Sequence, residues 1–474
     1  MKTNKLFFLL LLSISVLFGA CSNDDDNGTT TPTEQNIVEI ALATPELTIL
    51  VDALTRADGD LVEALQGDGP FTVLAPTNAA FIAFLNENGF SALEDVPTDV
   101  LSEVLLNHVI LADIKSSDLT SQGTGYAAGN ATNSQGQNIS LYFDATNGVR
   151  FNNTSTVTTA DIEASNGTIH IVNAVIGLPD VVDHAIMNPS FTSLVTALGV
   201  ADGDLVSVLQ GEGPFTVLAP DNEAFETFLD GTPLGSVSTA VLSQILLNHV
   251  VSGSITAEDL INSEAGYTAT SASGAGDNPM SLYFNATDGV RFNGISSVFQ
   301  ADVIGTNGII HAVDAVIALP TVVTFAAADP NFTTLVSALT ELTPGTDFAE
   351  ILSRTEGSNA DGINPDYTVF APTNNAFDAL IEDLGGVPDE TTLTNVLLYH
   401  VVSEANVTSD MLAIGDTVVT PLANGTFTIS LPSSNGNIAD ITDGSGASDI
   451  GIIAVDVQAS NGVIHVLNKV MLPN

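Results

Sequence analysis

Apolar and polar positions along the chain follow two periods that recur in a fixed order. In the segment opening at Phe191, the residues Phe191, Leu194, Val195 and Leu198 fall at i, i+3, i+4 and i+7, the spacing of an amphipathic helix lying on a core. Phe71-Thr-Val-Leu then reads as a short β run, stopped at Ala75-Pro76 because proline donates no ladder hydrogen bond. Thr77 or Asp221, with the Asn that follows each, is placed to cap the helix carrying Phe81 or Phe225. Next come an apolar helix ending near Asn107-His108, short strands over 140–143 and 149–151, and a closing strand over 169–176 that Leu178-Pro179 ends. Helices gather early and strands late in each unit, which predicts an α+β fold.

This grammar is written three times. Phe71-Thr-Val-Leu-Ala-Pro-Thr-Asn-Ala-Ala-Phe81 recurs at Phe215 to Phe225 and at Tyr367 to Phe377, offsets of 144 and 152 residues. Asn-Gly-Thr-Ile-His170 recurs as Asn-Gly-Ile-Ile-His311 and Asn-Gly-Val-Ile-His465. The period is too long for a solenoid of 20–50-residue repeats and fits tandem globular domains. Between 57–81 and 201–225, 20 of 25 positions are identical, so the first two copies descend from a recent duplication, whereas the third has diverged. Its offset from the second copy is 141 at Pro330 but 152 at Tyr367, which places an eleven-residue insertion in the polar segment 343–366, expected as a longer loop. The expected division is 36–180, 181–321 and 322–474, with short joints near 179–183 and 320–324 that leave limited room for bending.

The N-terminus reads as an address. Lys2 and Lys5 precede a short apolar run over 6–18, followed by Gly19-Ala20-Cys21, the layout of a secretory signal over 1–20. Cys21 is the only cysteine, and its setting resembles the lipobox of bacterial lipoproteins, in which that cysteine is acylated and becomes the first mature residue. Residues 21–35 have too little apolar content to fold and read as a flexible tether. Asp24, Asp25 and Asp26 are similar to the acidic signal that sends some Gram-negative lipoproteins to the outer leaflet, so the expected location is the outer membrane, lipid-anchored and surface-exposed.

Composition narrows the function. With 8 Lys+Arg against 56 Asp+Glu the formal charge is -48, which leaves no basic surface for a nucleic acid. Hydrophobic residues at 45% supply material for ordinary cores, and a single cysteine excludes internal disulfides and thiolate metal clusters. The sequence has no Gly-x-Ser-x-Gly, no phosphate loop and no His-Glu-x-x-His, so neither an enzyme nor a cofactor is expected.

The boxes Thr-Val-[Leu/Phe]-Ala-Pro-x-Asn-x-Ala-Phe and Asn-Gly-x-Ile-His, with a histidine between them, resemble the fasciclin domain family in all three copies, over about residues 36–474. That resemblance implies a wedge of about seven strands with helices on one side, and non-enzymatic modules of adhesion and matrix or surface contact. Six of seven histidines sit at repeat positions: His108, His249 and His400 at a helix end, and His170, His311 and His465 in the last hairpin. A turn at Asn166-Gly167 would pair Glu163 with His170 and set Asp161 diagonally beside it, a spacing repeated by Asp302 and Asp456. Such a pair is either an acid-base couple or half a metal site, or it is a buried histidine orienting the hairpin; the lack of a third ligand or a nucleophile favours the structural role. His184 lies outside the pattern and is expected at the surface.

Animal fasciclin domains have a Tyr-His motif implicated in receptor binding, and only Tyr399-His400 matches it, which makes that pair the binding candidate. Asp58-Gly-Asp60 and Asp202-Gly-Asp204 are acidic turns without the rest of a calcium loop. The leading expectation is a surface adhesion or matrix-contact protein whose partner is a cell-surface or matrix protein or glycan, with weak bridging by divalent cations. The alternative is an accessory protein that binds polysaccharide or another nutrient; the absence of Trp counts against sugar platforms. Cys21→Ser is expected to release the chain from membranes or leave its precursor uncut; unchanged detergent partitioning and mature mass would refute lipidation.

Overall fold

The computed structural model describes residues 34–474 apart from 356, 413, 424 and 435, so Cys21 and Asp24, Asp25 and Asp26 lie outside the described residues. In the first unit three helices come first: α1 (Ile37–Ala43), α2 (Thr48–Arg56) and α3 (Leu61–Leu65). They lead into β1 (Phe71–Pro76), α4 (Asn78–Glu87), α5 (Thr98–Leu106), β2 (Val109–Ile110) and α6 (Ser116–Gln122). Five strands close the unit: β3 (Thr124–Thr132), β4 (Asn138–Asp144), β5 (Arg150–Phe151), β6 (Ser155–Ala164) and β7 (Gly167–Val172).

The strands lie in the order β2-β1-β7-β6-β5-β4-β3, and β1 runs parallel to β7 while the other pairs are antiparallel. The parallel pair is buried on both faces, as parallel ladders generally are. Val73, Ala75, Ile169 and Ile171 pack with Phe81, Leu50 and Leu101 under the helices. Leu74 and Val172 face the other way, onto Leu141, Phe143 and Phe151 inside the curled sheet. Two core layers thus share one pair of strands, and Phe81, with 0% of its surface exposed, seals the helical layer.

The hairpin register differs from the sequence expectation. Gly167 is a strand residue that pairs with Ala164, and Glu163 lies opposite Thr168, not His170. The reason is steric: a Cβ on Gly167 would stand 1.9 Å from the Phe71 carbonyl oxygen, so this glycine is needed where β7 meets β1. Asp161 reaches His170 through a bulge between Thr159 and Ile162, where Asp161 takes a left-handed conformation with φ 58°. Equivalent bulges carry Asp302 at 56° and Asp456 at 62°. The box Asn78 also departs from expectation. Thr77 caps α4 by accepting from the Ala80 amide, but Asn78 accepts from the Ile49 amide and so fixes the start of α2.

The second unit repeats the order as a closed barrel, and the third as an open seven-stranded sheet. Of the eleven residues inserted in the third, two precede the short helix Phe348–Leu352 and nine follow it. Arg354 organises the longer loop by donating to Glu350, to Asp361 and to the Ile363 carbonyl.

The two joints are built alike. Ser140 accepts from the Ile304 amide across the first, and Ser281 accepts from the Gln458 amide across the second, both at 2.9 Å. Tyr126 meets the His184 ring edge-on at 5.8 Å, and Tyr267 meets Phe325 at 5.7 Å. Tyr126 accepts from Asn188, whereas the Tyr267 hydroxyl donates to Asp329. His184 is therefore not a surface residue: it is fully buried, donates from Nε2 to the Ile304 carbonyl, and packs where the first unit covers it. Tyr267→Ala should loosen the second joint, seen as protease cleavage within 320–324 that the parent chain resists; equal resistance would refute this bracing.

Candidate functional site

Two sets of repeated polar side chains converge on the parallel strands. Thr72 on β1 donates to the Ala112 carbonyl and accepts from the Ile114 amide, while His170 on β7 donates from Nε2 to the Ile114 carbonyl at 2.9 Å. The segment leaving β2 is thereby pinned across both strands. Thr216 with His311 holds Gly253 and Ile255 in the same way, and Thr368 with His465 holds Ala405 and Val407.

The second ring nitrogen, Nδ1, accepts a main-chain amide from the bulge. The donor is Asp161 at 3.1 Å, Asp302 at 3.3 Å and, at a long 3.5 Å, Asp456. The three carboxylates stand 3.9, 3.9 and 4.0 Å from the rings and bond elsewhere. Each accepts from the first amide of the next short helix: Ser116, Ala257 or Ser409. Hydrogen bonding by Ser116 holds the Asp161 carboxyl below the usual carboxylate range. With both ring nitrogens already bonded to main chain, His170, His311 and His465 have no lone pair or proton to offer a substrate or a metal.

His108, His249 and His400 use the opposite tautomer. Nδ1 donates to the carbonyl four residues back, of Val104, Ile245 or Val396, at 2.7–2.8 Å. Nε2 accepts from the amides of Ile176, Ile317 and Met471, each at 2.9 Å, joining the helix end to the closing segment. Burial pushes these three rings, and His184, down to about 4. It lowers His311 and His465 as well. Because the folded values lie below the unfolded value of about 6.5, the stability these neutral rings confer is complete above that pH. It declines by up to about 1.4 kcal/mol per histidine per pH unit as pH falls toward 4.

Tyr399 and His400, the binding candidate, are both interior. Tyr399 has 0% of its surface exposed and donates its hydroxyl to the Thr426 carbonyl; His400 is 3% exposed. Neither side chain is presented to a partner. Asp58 accepts from the Thr98 hydroxyl and Asp202 from the Thr239 hydroxyl, so each acidic turn is tied to the start of a helix distant in sequence, α5 in the first domain and Thr239–Leu247 in the second. No group of three or more His, Cys, Asp or Glu placed to hold a metal occurs among the described residues. No helix among them is long and apolar enough to cross a membrane.

The fasciclin domain matches this chain over residues 45–179, 189–320 and 330–473. The chain belongs to the fasciclin domain family. Human periostin is 27% identical over 427 residues, covering 87% of this chain and 45% of periostin. The pig transforming growth factor-beta-induced protein ig-h3 is 26% identical over 426 residues, 86% of this chain and 54% of its own. The chain thus spans about half the length of these curated relatives. Protein sll1483 of Synechocystis is 38% identical over 146 residues, 31% of this chain and 75% of that protein. A solved FAS1 domain pair from the insect cell adhesion molecule Fasciclin I is similar at 19% identity and a TM-score of 0.38, over 60% of this chain and 97% of that one.

In each fasciclin domain here one further residue does what the sequence did not disclose. Asn166 donates to the carbonyls of Leu65 and Gly67 and accepts from the Ile37 amide, joining the end of α3 to the start of α1. Asn307 and Asn461 repeat all three bonds. An Asn-Gly pair reads as a turn, and only its threefold repetition beside a histidine signals more. His170→Ala should strand the Asp161 amide and the Ile114 carbonyl, costing the first domain about 1–3 kcal/mol. An unchanged melting temperature with lost binding would instead assign this histidine to recognition.

Proposed function

We propose that this fasciclin protein is a non-enzymatic surface lipoprotein, anchored in the outer membrane through Cys21 and held off it by residues 21–35, that works in adhesion or matrix contact. The observation that carries the reading is the use made of the repeated boxes. Their threonines, histidines and asparagines bond main chain inside each domain, so recognition falls to the outer surface. Fasciclin domains are generally non-enzymatic adhesion modules, which supports the same conclusion. The signal-like run before Cys21 and the acidic Asp24, Asp25 and Asp26 support export and display.

The outer surface is acidic, and three of the six cations among the described residues are paired with acids. Lys115 lies 3.7 Å from both Asp113 and Glu163, Arg354 bonds Glu350 and Asp361, and Lys469 pairs with Asp449. A chain of charge -48 repels anionic partners at low ionic strength. Its partners are therefore cationic protein surfaces, or acidic glycans bridged by divalent cations. Melting temperature should rise with salt, and cell-surface binding should rise more in CaCl2 than in NaCl at matched ionic strength. Identical binding curves in the two salts would reduce the acidity to a solubility role.

A further inference from the structure

The two joints share a hydrogen-bond pattern but bury different rings. His184 and Phe325 are the fourth residues of the helices Val181–Met187 and Val322–Ala328, and both are fully buried. Ile40 holds the same place in α1, where it lines an open cleft of about 540 Å³ and is only half-buried. The preceding domain therefore completes the burial, with Tyr126 over His184 and Tyr267 over Phe325.

A histidine suits such a place only while it is neutral. Nε2 of His184 donates to the Ile304 carbonyl at 3.0 Å, and the amide of that same Ile304 crosses the joint to the Ser140 hydroxyl. The other ring nitrogen, Nδ1, is buried without a hydrogen-bond partner, so a second proton would sit there with nothing to receive it. The acids around the ring are engaged elsewhere. Asp180 and Asp183, on its own helix, accept each other's amides as the helix cap, and burial raises the Asp183 carboxyl. On the strands packed against the helix, the Asp302 carboxylate accepts from the Ala257 amide, and His311 bonds the Asp302 amide and the Ile255 carbonyl. From the first domain, Asp144 accepts from Thr146, while burial raises the Tyr142 hydroxyl and pushes that of Tyr126 up to about 12, so both tyrosines stay neutral.

We propose that the first joint is an acid-sensitive hinge: His184 takes up a proton only when the first domain swings off the second, whereas the second joint, sealed by Phe325, has no such ring to charge. Docked, burial holds His184 near 4; undocked, the ring returns toward the ordinary value of about 6.5. Docking is therefore at full strength above pH 6.5 and weakens as pH falls toward 4. Full return of the ring to its ordinary value weakens docking about thirtyfold between pH 7.5 and pH 5.

Amide hydrogen exchange reads both joints in one molecule, because the Ile304 amide bonds across the first and the Gln458 amide across the second. The test uses the full chain carrying Cys21→Ser, so that no acyl group is present, with rates expressed as protection factors to remove the intrinsic pH dependence of exchange. Between pH 7.5 and pH 5 the protection of Ile304 should fall roughly ten- to thirtyfold more than that of Gln458. His184→Phe, which copies the second joint and leaves Asp183 in place, should abolish that excess. Tyr126→Ala decides the matter where the first variant does not fold: by uncovering the ring it should raise the pH at which His184 titrates, followed by nitrogen-15 NMR. A parallel fall at the two amides, an excess fall that survives His184→Phe, or unchanged titration of His184 in Tyr126→Ala would overturn the proposal.

Discussion

Two parallel strands cannot be joined by a hairpin, so the chain between β1 and β7 has to leave the pair, build the rest of the domain and come back. In this protein that return trip holds every other strand and three of the helices, and the parallel pair ends up covered on both faces. Segments that cross a dry core still carry amides and carbonyls, and leaving one unpaired costs about 1–3 kcal/mol. The repeated polar residues answer that demand. Thr72 and His170 satisfy the segment after β2, His108 satisfies the closing segment, and Asn166 satisfies two helix ends. A motif that looks like chemistry in one dimension is main-chain satisfaction in three.

The three copies act as internal comparisons. Residues that bond main chain across the parallel pair are the same in all of them, down to the left-handed aspartate at the bulge. Positions away from that pair drift, even where they bond main chain: His184, which donates to the Ile304 carbonyl, becomes Phe325 at the second joint, and Asn107, which donates to the Gly177 carbonyl, becomes Tyr399 in the third core. The joints repeat one geometry, so a single solution to docking a domain on its neighbour serves twice.

Much of the fold was legible because its signals are local. Periodicity placed the helix after Phe191, proline ended β1, and the boxes repeated in order gave three α+β units of about seven strands. What was hidden depends on contacts between distant segments. Nothing near Gly167 announces that Phe71 will press against it, and nothing in Ala160-Asp161 announces a bulge, so the hairpin register came out wrong. His184 has no repeat partner among histidines, and its burial comes from Tyr126 of the neighbouring domain. The insertion was placed correctly, but the salt bridges of Arg354 that order it join residues too close in sequence to read as more than loop.

The claim that the histidines are neutral main-chain partners is tested most directly by nitrogen-15 NMR of the imidazole rings as a function of pH. The expected spectrum at pH 7 shows His108, His249 and His400 protonated on Nδ1, and His170, His311, His465 and His184 protonated on Nε2. Rings His108, His249, His400 and His184 should stay neutral down to about pH 5, since burial holds them near 4. Rapid tautomer exchange, or titration of those four rings near the ordinary value of about 6.5, would contradict the account.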